Sequence, residues 1–329
     1  MQKDPPLVSI IIPVYNGANY LGEAIDSALT QSYLNVEVLV INDGSKDNGE
    51  TARVARKYGR KIRYYEKANG GVATALNLGI KKMKGEWFSW LSHDDIYFPN
   101  KIESQINYLK KNPQAKVIYS DFELVDAHLN HLHYSSVESK STSNMRVRLL
   151  NTYPLNGCTM LIHQSCFKNT GKFSEALRTT QDYDLWFRLA KDYLFYYVPI
   201  IAIKSRQHSE QGSHTNIHKQ EVDLLYSNFV YSLSKKEIKE VLGSKASSML
   251  LSLAREYKQR GYVIAPKTVL ARSLELVDSY DPEYLLTKAY CLLPDQLFAT
   301  ISNWDYRLRR KLFEYIGIIK RFFNHELTK

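Results

Sequence analysis

The chain has 329 residues, of which 44% are hydrophobic and 24% are charged, as is typical of folded globular proteins. This composition excludes an intrinsically disordered chain and a collagen-like repeat, and the length predicts one large domain with an additional region. The 44 Lys and Arg residues against 34 Asp and Glu residues give a net charge of +10. This charge favours anionic partners such as nucleic acid, acidic lipid headgroups or a phosphorylated substrate.

The cysteines and the N-terminal residues indicate the compartment. The three cysteines form no CxxC pair and no zinc-ligand cluster, so the sequence predicts neither a disulfide framework nor a structural zinc site. The first residues lack the pattern of a signal peptide. No stretch approaches the roughly 18 apolar residues of a membrane-spanning helix. We therefore expect a cytoplasmic protein, with peripheral contact at most to the inner face of the cell membrane.

The first half of the chain alternates strand and helix patterns. Short β-branched or aromatic runs predict strands, and apolar residues at helical spacing predict the helices between them. The predicted strands are 7–12, 36–41, 62–66 and 87–91, and the predicted helices are 20–31, 49–58, 72–83 and 99–110. This order predicts a mostly parallel sheet with right-handed crossovers, in which ligands bind at the carboxyl ends of the strands.

Polar side chains follow these predicted strands and should meet at one edge of the sheet. Tyr15 and Asn16 follow the first strand, Asp43 follows the second, and Asp94 with Asp95 follows the fourth. Two adjacent carboxylates repel each other unless a cation neutralises them. Carboxylate oxygens together with substrate phosphates suit Mg²⁺ or Mn²⁺, so the pair predicts a divalent metal site. The alternative is that the pair caps the helix that follows.

From about residue 220 the strand patterns end and helical patterns follow. Residues 253–282 have the pattern of either one tetratricopeptide-type repeat or a plain helical hairpin. Residues 304–329 predict a basic amphipathic helix, which can lie on an anionic membrane or pack on its own protein. We therefore divide the chain into a first domain, 1–219, and a helical region, 220–329.

Several segments, in this order, resemble the motifs of family 2 glycosyltransferases with the GT-A fold. The segments are 13–17 (PVYNG), 40–47 (VINDGSKD), 69–79, 87–95 (WFSWLSHDD), 156–158 (NGC) and 180–189 (TQDYDLWFRL). The resemblance covers roughly residues 7–215. It implies an α/β GT-A domain, that is, a Rossmann-like mixed sheet flanked by helices, followed by an α-helical extension. It also implies a nucleotide-diphospho-sugar donor such as a UDP-sugar, a Mn²⁺ or Mg²⁺ cofactor, and inversion at the anomeric carbon.

The resemblance also implies roles for individual residues. Asp182 aligns with the general base that deprotonates the acceptor hydroxyl. Asp94 aligns with the position that binds the metal, and His208 with a position where relatives place a metal or phosphate contact. The implied nucleotide-sugar site comprises Pro13, Tyr15, Asn16, Asp43, Asn69, Gly71, Asp94, Asp95 and Arg206.

Each of these residues also has a simpler structural explanation. Asp43 lies in a turn-forming Asn-Asp-Gly-Ser segment, and Asp182 or Asp184 could cap the helix that follows them. Tyr15 could cover the edge of the sheet, and His208 could be an ordinary loop residue.

The chain departs from the family pattern at three places. Ser92 stands where the acidic cluster usually begins with an aspartate, which leaves Asp94 as the main metal ligand and predicts looser metal binding. Gln181 replaces the glutamate that usually precedes the base. Leu76 stands where relatives often carry an arginine, which removes one contact to the phosphates or the base.

The predicted function is inverting transfer of a sugar to a hydroxyl of a glycan or lipid-linked acceptor in surface polysaccharide biosynthesis. A nucleotidylyltransferase would need a Gly-rich loop with Arg or Lys after the first strand, which residues 13–17 do not provide. The remaining alternative is a catalytically silent binding subunit of a membrane-associated glycan assembly complex. The joint presence of Asp43, Asp94, Asp95 and Asp182 argues against it. No nucleic-acid recognition module is evident.

Overall fold

A computed structural model describes residues 5–135, 144–150, 155–209, 211 and 215–276. The chain forms two compact units, one that ends at Glu221 and one that begins at Val222. The boundary lies within a helix, two residues beyond the boundary expected from the sequence.

The first unit alternates strands and helices through its first half and becomes more irregular in its second. Its strands are β1 (Val8–Val14), β2 (Val36–Asn42), β3 (Arg63–Glu66), β4 (Trp87–Trp90), β5 (Ile96–Tyr97), β6 (Val117–Val125), β7 (His131–Ser135), β8 (Leu161–His163) and β9 (Phe195–Arg206). Its helices are α1 (Leu21–Leu29), α2 (Glu50–Arg56), α3 (Val72–Lys82), α4 (Lys101–Lys111), α5 (Met145–Arg148), α6 (Gln164–Thr170), α7 (Gln181–Asp192) and the start of α8 (Asn216–Ser232). The four strands and four helices predicted for the first half are present.

The strands form one mixed sheet in the order β3-β2-β1-β4-β8-β6-β9-β5, with β7 paired to β6. Strands β1 to β4 are parallel, whereas β8 runs antiparallel to both β4 and β6. Strand β1 is buried along its whole length, as its continuous β-branched sequence predicts. This architecture confirms the expected mixed α/β fold.

The parallel register brings the ends of the central strands together. Val14 in β1 lies opposite Asn42 in β2, and Ile11 lies opposite Trp90 in β4. The backbone N–H of Asp43 extends this pairing by donating to the carbonyl of Val14 over 2.8 Å. The segments that follow β1, β2 and β4 therefore leave the sheet at the same edge.

Helix α3 packs directly on β1 through a glycine. We expect Gly79→Ala to lower the free energy of unfolding by about 1–3 kcal/mol, because the sheet cannot move to admit the added methyl group. A Cβ at Gly79 would lie only 2.4 Å from Cγ2 of Ile11. Denaturant unfolding followed by circular dichroism measures this loss.

A second helical glycine provides a matched control. At Gly22 in α1, an added Cβ would lie 3.7 Å from the hydroxyl of Tyr58, which is ordinary contact. Gly22→Ala should therefore be neutral or stabilising, since alanine favours a helix over glycine. Equal destabilisation by the two substitutions would contradict the close packing of α3 on β1.

The second unit is helical throughout its described residues. It contains the rest of α8, then α9 (Lys235–Leu242), α10 (Ala246–Gln259) and α11 (Ala265–Leu274). Buried Asp223 accepts hydrogen bonds from the backbone N–H groups at the start of α11, and the ring of Tyr226 stacks on Tyr257 at 5.0 Å. No helix of the described chain is both long and apolar enough to cross a bilayer. The predicted amphipathic helix at 304–329 lies outside the described residues.

Candidate active site

A cavity of about 620 Å³ opens at the carboxyl edge of the central strands. Tyr15 and Asn16 from the segment after β1 and Asp94 from the segment after β4 line it, and His208 contributes from the segment after β9. Asn16 adopts a left-handed backbone conformation (φ 50°), which Asn tolerates well, and its side chain accepts a hydrogen bond from Lys46 N–H. The cavity therefore brings four of the predicted site residues together.

The acidic pair is divided between two environments. Oδ2 of Asp94 lies 2.9 Å from Nε2 of His208, whereas Asp95 is buried and accepts a hydrogen bond from the backbone N–H of Arg206. Burial, together with the neighbouring charge of Asp94, raises the pKa of Asp95 well above its ordinary value. Of the two carboxylates only Asp94 lines this cavity, whereas Asp95 lines the second cavity described below.

The pair Asp94 and His208 fits a divalent cation that shares its coordination with a diphosphate. An imidazole nitrogen and a carboxylate oxygen are both ligands of Mn²⁺, and such ions commonly keep water and phosphate oxygens as their remaining ligands. Among the described residues no group of three or more His, Cys, Asp or Glu side chains could enclose a metal by itself. A metal bound at Asp94 and His208 would therefore need further ligands, such as phosphate oxygens of the substrate.

Arg206 contacts both members of the acidic pair, through its backbone N–H to Asp95 and its side chain to the carbonyl of Asp94. Its side chain is buried, and its guanidinium donates to the carbonyls of Asp94 (2.9 Å) and Ala127 (2.7 Å) and to the carboxylate of Glu23. The guanidinium also lies over the ring of Tyr20, 4.3 Å from its centroid. These contacts give Arg206 a positioning role, and the direct contact to the nucleotide-sugar stays a prediction.

Asp43 organises the loop that leads into α3. Its buried carboxylate pairs with Lys67 and accepts hydrogen bonds from the backbone N–H groups of Gly70 and Gly71, and Asn69 donates to its carbonyl. The structure thus brings Asp43, Asn69 and Gly71 together, but none of them is among the residues that line the cavity. Pro13, within β1, does not line it either. Nucleotide contacts by these four residues stay predictions.

A second cavity of about 310 Å³ contains Asp182. Burial raises the pKa of the Asp182 carboxyl to about 7. The neighbouring Asp184 instead forms an ion pair with Arg188 one turn along α7, at 2.7 Å. The structure therefore separates the two aspartates, since one faces a cavity and the other stabilises its helix.

The two cavities share a wall. Trp90, Ser92, Asp94 and Gln211 line both of them. Gly157 packs closely on the indole of Trp90, since a Cβ added to this glycine would lie 2.4 Å from Cζ3 of Trp90. This contact fixes the Trp90 side chain between the cavities. A group bound beside Asp94 would thus be next to a group bound beside Asp182.

Several residues that line the cavities were not predicted from the sequence. In the first cavity they include Asn19, Tyr20, Trp90, Arg178, Thr179 and Gln211. Trp90 lies inside the motif 87–95 and could have been inferred from it. Tyr20 begins the predicted helix 20–31 and directly precedes α1 in the structure. Arg178, Thr179 and Gln211 belong to irregular segments without a local pattern, so only the tertiary structure identifies them.

The sequence matches known glycosyltransferases. Residues 9–171 match the family model described as glycosyl transferase family 2. An uncharacterized glycosyltransferase of Rickettsia typhi is 46% identical over 274 residues, which are 81% of this chain and 84% of that protein. A longer one of Rickettsia felis is 53% identical over 238 residues, which are 71% of this chain. The chain spans about two fifths of the length of the first such relatives, 35 to 42%.

Solved structures share the fold at low sequence identity. Staphylococcus aureus TarS residues 1–349 in complex with UDP-GlcNAc has a TM-score of 0.59 at 13% identity, covering 86% of this chain and 90% of that one. The mannosyltransferase PcManGT of Pyrobaculum calidifontis, in complex with GDP-Man and Mn²⁺, has a TM-score of 0.54 at 16% identity, covering 94% and 83%. At these identities the similarity establishes the architecture alone.

Proposed function

Because the chain belongs to glycosyl transferase family 2, we propose that it moves a sugar from a nucleotide-diphospho-sugar to a hydroxyl of an acceptor, with inversion at the anomeric carbon. The observation that carries the proposal is the pair of adjoining cavities. One contains the Asp94–His208 pair suited to a diphosphate-bound cation, and the other contains Asp182 with its raised pKa. Their shared wall supports the proposal, because a donor in one cavity would lie beside an acceptor in the other.

In this proposal Asp182 takes the proton of the acceptor hydroxyl while that oxygen attacks the anomeric carbon. A base with a pKa near 7 is largely deprotonated above neutral pH and is still basic enough to assist the attack. Direct attack from the second cavity on a sugar held in the first inverts the anomeric configuration. Asp94 and His208 would hold Mn²⁺ or Mg²⁺, which neutralises negative charge on the nucleoside diphosphate. Arg206 and Asp95 keep Asp94 in place.

We further propose that the donor is a UDP-sugar and that the acceptor is a glycan or a lipid-linked precursor of a surface polysaccharide. The complex of TarS with UDP-GlcNAc supports the choice of nucleotide. The chondroitin synthase of Pasteurella multocida, 30% identical over 225 residues, supports a polysaccharide role, although these residues are 22% of that protein. Contact of the basic segment 304–329 with an anionic membrane would bring the enzyme to a lipid-linked acceptor.

The test is release of nucleoside diphosphate from a panel of UDP- and GDP-sugars, in the presence of Mn²⁺ and of candidate oligosaccharide acceptors. We expect one donor to be consumed when its acceptor is present, and NMR of the product should show the anomeric configuration opposite to that of the donor. A product that retains the donor configuration would contradict direct displacement. A protein that consumes no donor under any condition would favour a binding subunit.

A further inference from the structure

The loop 171–180, which joins α6 to α7, is fixed near its beginning by α3. The backbone N–H of Phe173 donates to Oδ1 of Asn77 over 3.1 Å, and Nδ2 of Asn77 donates back to the carbonyl of Phe173 over 2.9 Å. The ring of Phe173 is buried, and it packs edge-on against Trp90 and Trp186. This end of the loop is therefore rigidly attached beside the cavities.

A single carboxylate holds the other end of the same loop. Glu221 accepts hydrogen bonds from the backbone N–H groups of Arg178 (2.7 Å) and Thr179 (2.9 Å) and from the hydroxyls of Thr179 (2.8 Å) and Thr180 (3.2 Å). Burial alone would raise the pKa of Glu221, but these hydrogen bonds lower it below its ordinary value. The carboxylate is therefore charged at neutral pH and holds residues 178–180 immediately before α7.

The side chain of Arg178 is left free by this arrangement. Its backbone is bound to Glu221, whereas its guanidinium has no hydrogen bond or ion pair within the described part of the chain. Arg178 is exposed, and it lines the cavity of Asp94 and His208. Among the described residues that line this cavity it is the only Lys or Arg.

We propose that Arg178 binds the diphosphate of the donor. The inference rests on the proposed function, since it assumes that a nucleotide-diphospho-sugar occupies this cavity. A diphosphate beside the carboxylate of Asp94 requires positive charge nearby, and a planar guanidinium can donate two parallel hydrogen bonds to phosphate oxygens. Arg206 cannot readily serve this purpose, because its buried guanidinium already donates to Asp94, Ala127 and Glu23. The two attachments of the loop hold the backbone of Arg178 at the cavity before the donor binds. Less conformational entropy is therefore lost when the donor binds.

The experiment compares a nucleoside diphosphate with its nucleoside. UDP and uridine, with GDP and guanosine in parallel, are titrated calorimetrically in the presence of Mn²⁺ into the wild-type chain, Arg178→Ala and Arg178→Lys. We expect Arg178→Ala to weaken UDP binding roughly 10- to 100-fold, the usual effect of losing hydrogen bonds to a charged group. Uridine binding should not change, and Arg178→Lys should retain part of the affinity for UDP because it keeps the charge.

The matched control is Arg60→Ala. Arg60 is also an exposed arginine without a described partner, but it lies outside both cavities, so its removal should leave UDP binding unchanged. Unchanged UDP binding in Arg178→Ala, or equal weakening of UDP and uridine, would overturn the inference while leaving the proposed function intact. A wild-type chain that binds neither diphosphate would overturn the proposed function itself, and this inference with it.

Discussion

Replacing Asp182 with asparagine is expected to lower kcat by about 10²- to 10⁴-fold, the range typical of a lost general base. Asparagine is nearly isosteric with aspartate but cannot take the proton of the acceptor hydroxyl. Because Asp182 lines the adjoining cavity and not the one that contains the Asp94–His208 pair, the affinity for nucleoside diphosphate should not change. Steady-state kinetics and calorimetric titration of UDP measure the two effects separately.

The pH dependence of the wild-type rate tests the role of Asp182 independently of the substitution. Burial raises the pKa of Asp182 to about 7, and the active form of a base is the deprotonated one. The value of kcat/KM should therefore rise with pH through about 7 and become constant above it. A carboxylate with an ordinary pKa near 4 would leave the rate flat across this range.

Stability provides the control for Asp182→Asn. The pKa of Asp182 is higher in the folded state than in the unfolded chain, so the protonated carboxyl favours folding. This stabilisation is complete at pH values below the pKa of the unfolded chain and is lost as the pH rises through about 7. Above pH 7 the neutral asparagine should thus be tolerated at least as well as the charged aspartate. Thermal unfolding at pH 8 tests this. A variant that folds normally and keeps wild-type kcat would exclude Asp182 as the base.

Replacing Asp94 with alanine is expected to abolish the effect of Mn²⁺ on nucleotide binding. Asp94 provides the cavity-facing carboxylate, and Asp95 cannot take its place because it is buried against Arg206. The loss in metal-supported UDP affinity should be at least about 100-fold, because removing even a hydrogen-bond partner of a metal ligand costs 10- to 100-fold. Titration of UDP with Mn²⁺ and with EDTA measures the difference.

The control for Asp94→Ala is Asp192→Ala. Asp192 is an exposed aspartate at the end of α7 and lines neither cavity, so its removal should leave the Mn²⁺ effect intact. His208→Ala should weaken the Mn²⁺ effect while keeping part of it, since the charged ligand remains. If the Mn²⁺ effect persists in Asp94→Ala, the metal does not bind at this carboxylate.

The parallel half of the fold could be predicted because its signals are local. The β-branched runs of β1 and β2 identify strands without reference to the rest of the chain, and parallel pairing places the polar residues after β1 and β4 at the same edge. Tyr15, Asn16 and Asp94 line one cavity because they follow strands that are paired in parallel. Sequence patterns alone thus predicted the edge of the sheet at which the candidate site opens.

The roles of individual charged side chains could not be predicted, because their partners lie far away in the chain. Arg206 and Glu23 are 183 positions apart, and Lys67 and Asp43 are 24 apart. Arg178 has no sequence signal of its own, since its place at the cavity depends on Asn77 and on Glu221. Whether a charged residue faces a ligand or supports its neighbour is decided by such contacts.

The most direct test of the account is a crystal structure of the chain with UDP and Mn²⁺, with anomalous diffraction recorded from the manganese. We expect one manganese peak contacted by the carboxylate of Asp94 and the imidazole of His208, with the diphosphate in the same cavity and Asp182 facing the adjoining one. A nucleotide bound elsewhere, or a manganese that contacts neither Asp94 nor His208, would contradict it.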